Sequence, residues 1–455
     1  MSLSRTVFRT LPLTAAVVLA FATNAQAQSL VEMYDTARGY DASFISAKAQ
    51  FEANLAKANQ TLGGILPNIA LSASATRNYF DLRYDNAAAV QNGVINPRFF
   101  TTSAAGVTLS QPIYRPAAWE SYRQGGYMLQ QAAAQYETAE QDLLVRVSQA
   151  YFDVLTSEDS LASVQAQKKA VEEQLASAKR NFEVGTATIT GVRDAQARFD
   201  LINAQEIAAD NDLRIKRLAL DLAVGLSNTK PKRLTNDSKL IAAPTEDVNN
   251  WVTKSETSSP VVRQAYFALE IASREVNKAN AAHKPTVDAQ ISYAGVRNQG
   301  GNAFLPTNTD SHIYNPSAAI VLNMPIFAGF STMYRVKETV ALEDKARSDY
   351  ENARRTTAQA TRTAYFGVVA GLSQVKAYEA AEASSQSALD ANKLGYSVGV
   401  NINIDVLNSQ SQLYQTKRDL AKARYDVLVG NLKLRQAAGT LTPADLQPIN
   451  ALLAP

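Results

Sequence analysis

Among 455 residues there are two histidines, His283 and His312, and no cysteine. Neither histidine has an acidic ligand cluster near it in sequence. No glycine-rich phosphate loop and no nucleophile elbow occurs either. The expectation is therefore no catalytic residue, no resident metal and no cofactor. What does recur is a pair of bends. "RNFEVGTATITGVRDAQ" (180–196) and "LGYSVGVNINIDVLNSQ" (394–410) lie 214 residues apart. Each has an aromatic residue, one further residue, Val-Gly, a short polar turn and then an amphipathic run. Gly185 and Gly399 suit the left-handed residue that closes a helix. Thr188 or Thr190, and Asn401 or Asn403, suit the first cap of a returning helix.

The elements that position these bends follow from a repeat. Tyr151-Phe152 matches Tyr365-Phe366, and Gly225 matches Gly439, at the same offset of 214. Pro112 pairs with Pro325 and Pro67 with Pro285 at 213 and 218. The chain is two copies of one plan: residues 28–228, a linker at 229–247, residues 248–442, and a tail at 443–455. No proline lies between Pro116 and Pro231 or between Pro325 and Pro443. Long helices fit there, because an interior proline costs about 3 kcal/mol. Val147, Ala150, Val154, Leu161, Val164, Val171, Leu175 and Ala178 keep a 3,4 spacing that only Ser157 and Lys168 interrupt. That is a coiled-coil seam. It makes each opening stretch the tip of a long antiparallel hairpin, at 184–191 and 398–405.

Before each helical run the period changes to two. Ile69, Leu71, Ala73 and Ala75 alternate with Ala70, Ser72, Ser74 and Thr76, and residues 285–298 alternate likewise. Strands are expected at 67–84, 98–114, 285–298 and 314–327, with Tyr79, Phe80, Phe99, Phe100, Tyr114, Tyr314 and Phe327 near their ends. Four strands cannot close a barrel, which takes about eight, and open edges are not tolerated in lipid. Several copies must share one barrel. Three copies would supply twelve strands and leave room for a passage.

Composition narrows the setting. Arg5 and Arg9, an apolar run from Leu11 to Ala22 and Ala25-Gln26-Ala27 read as a signal peptide over 1–27. Its removal leaves 43 basic against 42 acidic residues. That balance argues against nucleic acid as a partner. No later stretch approaches the eighteen apolar residues of a membrane helix.

These residues resemble the TolC-like outer-membrane channel-tunnels of Gram-negative bacteria. "AYFDVL", "QAQKKAVEEQL", "RNFEVG", "LGYSVG", "DVLNSQSQLY" and "ARYDVLVGNLKLRQAAGTL" carry the likeness. The resemblance implies a mostly α fold with a β-barrel and a two-fold internal repeat. A trimeric twelve-stranded barrel would stand on a twelve-helix periplasmic tunnel, with the linker and tail in an equatorial layer. It implies an exit duct for tripartite efflux pumps or type I protein secretion. The partners would be a periplasmic adaptor, an inner-membrane transporter of RND, ABC or MFS type, and outer-membrane lipid. Val184, Gly185, Thr186, Val398, Gly399 and Val400 match the tip where adaptors dock. Asp405 matches the first of two acidic positions around the pore entrance, and Asn408 stands at the second. Thr190 and Tyr396 match gate residues. Gly191 and Asn401 stand where a gate-linking Asp and its Arg partner are expected, so acid and base are missing together.

Two alternatives remain at this stage. Asp405 could serve only to complement a helix N-terminus, worth about 0.3–1 kcal/mol. The rods could be a periplasm-spanning structural tether that transports nothing.

Overall fold

A computed structural model describes residues 28–81, 98–186, 188–235, 246–301 and 309–453. The expected signal peptide lies outside the described residues. So do 82–84 of the first expected strand, 236–245 of the linker and the last two residues of the tail. The chain divides into two compact units, one of residues 47–138 and 260–357, the other holding the remainder.

The first of these units contains the sheet. Helix α2 (Ala42–Gln60) leads to strands β1 (Asn68–Phe80) and β2 (Arg98–Tyr114). Helix α6 (Pro260–Ala281) leads to β3 (Thr286–Gln299) and β4 (Ser311–Asn323). The four strands form one antiparallel sheet in the order β1-β2-β3-β4. Its register sorts the side chains by face, because residues directly opposite one another share a face. Leu71, Val107, Tyr293 and Pro316 form one row, and Ile69, Leu109, Ile291 and Ala318 the next. The opposite face carries Ala70, Thr108, Ser292 and Ser317. One side is thus apolar and the other small and polar. Arg115 grips Asp288 at the foot of the sheet with two bonds of 2.7 and 2.8 Å.

Strand β4 ends at Asn323, earlier than the expected 327. Pro325 has no N–H to add to a ladder, so Met324 to Phe327 leave the sheet. Its repeat counterpart Pro112 stays within β2 because the register shifts between Pro112 and Tyr114. The expected aromatic ends also divide. Tyr79 and Phe99 pack at 5.0 Å between ring centroids, while Phe100 is buried on the face that carries Thr108 and Phe327 lies beyond the strands.

The other unit is helical. Helix α3 (Pro116–Glu183), from residue 139 onward, forms a hairpin with α4 (Ile189–Val224). Helix α7 (Ser331–Ser397), from residue 358, forms a second with α8 (Asn403–Ala437). Val171, Leu175, Ala178, Ala195 and Leu407 make a buried cluster between the hairpins. Val375, Leu420, Ala423 and Val427 make another inside the second hairpin. Both polar breaks in the α3 seam find partners on α4. Ser157 Oγ donates to Asp212 at 2.7 Å, and Lys168 Nζ reaches Glu206 at 2.6 Å and Asn203 at 2.9 Å. Slipping the register would orphan these groups, so they fix how α3 and α4 align.

Short helices α1 (Leu30–Tyr40), α5 (Val248–Ser258) and α9 (Leu446–Asn450) complete this unit. Isolated bridges join Gln28 to Pro231 and Leu234 to Leu453, tying the segment before α1, the linker and the tail together. No helix among the described residues is long and apolar enough to cross a membrane.

Candidate functional site

The two bends close by the same backbone geometry. Gly185 and Gly399 have φ of +77° and +79°, a conformation in which a Cβ is strained. Gly185 N–H donates to Phe182 O and Thr186 N–H to Asn181 O; Gly399 N–H donates to Tyr396 O and Val400 N–H to Gly395 O. Each is a Schellman turn, which satisfies carbonyls a helix end otherwise leaves bare. Val184, Val398 and Val400 stand exposed around the turns. A Cβ built on either glycine meets nothing within 4 Å.

The returning helices are capped differently. Thr188 caps α4, its Oγ accepting from Gly191 N–H at 3.4 Å and lying 2.7 Å from Thr190 Oγ. For α8 the expected caps Asn401 and Asn403 are not used. Ile402 is the cap residue, and Asp405 Oδ2 accepts from its N–H at 3.2 Å. Asp405 therefore has a helix-end role within the chain. Asn401 instead donates to Asn392 Oδ1 at 2.8 Å. Asn392 donates in turn to Ser409 Oγ, which donates to the Asp405 carbonyl at 2.9 Å. Gly395 admits this relay, since a Cβ there would collide with the Asn401 side chain.

Freed from capping, Asn403 faces the other hairpin. Its Oδ1 accepts from Gln174 Nε2 and its Nδ2 donates to the Gly191 carbonyl at 3.5 Å. Asn181 Nδ2 donates to Tyr396 Oη at 3.2 Å, and Arg198 donates to Asn408 Oδ1 at 2.7 Å. Between the hairpins lies a groove of about 770 Å³ whose lining includes Thr190, Gly191, Tyr396 and Asn401. Every one of these cross-hairpin bonds has at least one neutral partner. Among the described residues no ion pair joins the hairpins at this end. The hydrogen bonds through Gln174, Asn181, Tyr396 and Asn403 thus form a neutral amide clasp between the hairpins.

Gln174, Asn181, Arg198 and Asn392 were not foreseen from the sequence. Each looks like an ordinary solvated helix position, and what distinguishes it is a partner 17 to 229 residues away.

Farther along the same helices Tyr425 Oη donates to Asp159 Oδ2 at 2.7 Å. Burial raises the Asp159 carboxyl above its usual range, although the Tyr425 hydrogen bond opposes the shift. Among the described residues no group of three His, Asp or Glu side chains could hold a metal.

The family model described as outer membrane efflux protein matches residues 33–226 and 251–440. The outer membrane protein TolC of Vibrio cholerae is 32% identical over 428 residues, 93% of this chain and 94% of that protein. The alkaline protease secretion protein AprF of Pseudomonas aeruginosa is 25% identical, over 96% of this chain and 89% of its own. Among solved structures, the outer membrane protein VceC of Vibrio cholerae superposes with a TM-score of 0.75 at 17% identity. That match covers 90% of this chain and 96% of the other.

Proposed function

Because the chain belongs to the outer membrane efflux protein family, we propose that it works as an outer-membrane exit duct for efflux and type I secretion. Three copies share one barrel, and the helical hairpins project into the periplasm. A periplasmic adaptor docks at the tips and couples the duct to an inner-membrane transporter, which supplies the energy. The apolar face of each sheet meets lipid, and the small polar face lines the passage.

One observation carries the shared assembly. Phe152 on α3 is 1% exposed, packed against Tyr425 of α8 at 5.6 Å. Its repeat counterpart Phe366 on α7 is 58% exposed. The counterpart of α8 is α4, which presents Ile207, Ile215, Leu218 and Leu222 to solvent. The repeat thus asks for α7 of one copy to lie on α4 of the next, as α3 lies on α8 within a copy. Bare edges on β1 and β4 ask for the same neighbours.

At the tips, Val184, Gly185, Thr186, Val398, Gly399 and Val400 form the adaptor surface. Asp405, Asn408, Thr190, Gly191, Tyr396 and Asn401 form the gate, with the closed state held by the neutral clasp. The test is light scattering of the detergent-purified protein together with conductance in planar bilayers. A trimer that conducts is expected; a conducting monomer contradicts the shared barrel.

A further inference from the structure

A second groove, of about 440 Å³, lies between α3, α4 and α8, behind the tip. Gln167 and Val171 come from α3. Arg198, Leu201, Ile202 and Gln205 occupy one face of α4 at helical spacing, and the α8 side runs from Leu407 to Arg418. The lining holds two guanidinium groups, several amides and a hydroxyl, and no carboxylate.

Both arginines have neutral partners. Arg198 donates to Asn408 Oδ1 at 2.7 Å; Arg418 donates to Gln167 Oε1 at 3.2 Å and Gln415 Oε1 at 2.7 Å. A guanidinium has five N–H donors in a fixed fork that matches a carboxylate. Both arginines direct hydrogen bonds to amide oxygens, and the nearby charge of Asp419 only partly offsets the burial of Arg418. Consistently, burial pulls the Arg418 guanidinium below its usual range. The anchoring oxygens of Asn408 and Gln415 lie two turns apart on one face of α8, about 10 Å along the axis.

We propose that this groove binds an elongated organic dianion, with one carboxylate held by Arg198 and the other by Arg418. Leu201 and Ile202 lie against the aliphatic body between them, and the glutamine amides take the remaining oxygens. A solute of this class in the periplasm or the duct is the occupant, and it bridges the two hairpins when bound.

The probe is suberate, an eight-carbon dicarboxylate, with octanoate as its single-charge comparator. Binding to the purified trimer is read by calorimetry. Suberate is expected to bind about tenfold or more tightly than octanoate, since each charged hydrogen-bonded contact is worth about a tenfold factor. Arg198→Gln and Arg418→Gln should each reduce suberate to the octanoate level. Asn408→Asp, which keeps side-chain size, should do so by supplying Arg198 with an internal carboxylate; it serves if either arginine variant fails to assemble. Equal binding of the two probes, unchanged suberate binding in the variants, or no binding because a neighbouring copy's carboxylate fills the groove would each overturn the site. Binding is read apart from conductance, so a trimer that conducts and ignores suberate overturns this site alone.

Discussion

Asn181 and Tyr396 join the two helical hairpins through one hydrogen bond of 3.2 Å, from Asn181 Nδ2 to the phenol oxygen. The donor is an amide and the acceptor a phenol oxygen, so the contact is not an ion pair. Tyr396→Phe keeps the ring and removes the acceptor, at about 1 kcal/mol per copy. Three copies shift the closed-to-open balance by about 3 kcal/mol, roughly a hundredfold. Open probability in bilayers should rise accordingly, and by the same factor at low and high salt, since neutral contacts are not screened. A strong salt dependence would mean that a charge pair closes the gate.

Arg198 alters what a second acidic position would do. On charge alone, Asn408→Asp would add a ring of carboxylates beside the three copies of Asp405 and strengthen block by multivalent cations. With Arg198 bonded to position 408 at 2.7 Å, the new carboxylate pairs at once with the guanidinium. Asn408→Asp alone should therefore leave cation block nearly unchanged, and Asn408→Asp with Arg198→Gln should strengthen it. Asp405→Asn, which keeps an oxygen for the Ile402 N–H, should abolish block. Recordings with periplasmic-side multivalent cations decide between these outcomes.

The tip glycines separate folding from docking. Alanine at φ near +77° costs about 1–2 kcal/mol, a local loss that a trimer tolerates. A Cβ at Gly185 or Gly399 meets nothing within 4 Å in the chain, and tryptophan there stands where an adaptor helix would approach. The double variant should reach the outer membrane as a trimer and lose export. Normal export would reduce both glycines to helix ends.

Much of this was legible in the sequence, and for a local reason. Gly185 and Gly399 announce their turns because a positive φ is a property of one residue. The seam from Val147 to Ala178 announces its helix because its period is local. The seam's flaws, Ser157 and Lys168, were legible only as interruptions; their partners Asp212, Glu206 and Asn203 on α4 come from the structure. Asn403 was not legible. Its sequence suits a cap, but Asp405 serves the Ile402 N–H, so Asn403 bonds to Gln174 and to the Gly191 carbonyl. Which oxygen an asparagine meets is decided by a chain segment over 200 residues away, and no local pattern records it. The early end of β4 was missed for a related reason: Pro325 matches Pro112 in sequence but lacks the bulge that accommodates a proline within a ladder.

Asp159 gives a pH dependence with a definite sign. Its folded pKa is raised, so the folded state holds a proton more tightly than the unfolded chain. Stability from this group is present below the usual carboxylate range, near pH 4, and is lost as pH rises through the folded value. Asp159→Asn keeps an acceptor for Tyr425 and removes the buried charge. Thermal unfolding of the trimer should show the variant equal or more stable at pH 7, with the difference vanishing toward pH 4. A variant less stable at pH 7 would mean that the ionised carboxylate is favoured by its surroundings.

The most direct measurement of the whole account is single-channel recording of the purified trimer and of a variant with Asn403→Ala and Tyr396→Phe. A duct shared by three copies and shut by neutral amide contacts predicts small conductance steps in the wild type. The variant should give larger and longer openings, with the trimer intact. A trimer that passes no current in either form would contradict the duct and leave the rods as a tether; identical steps in both would contradict the clasp.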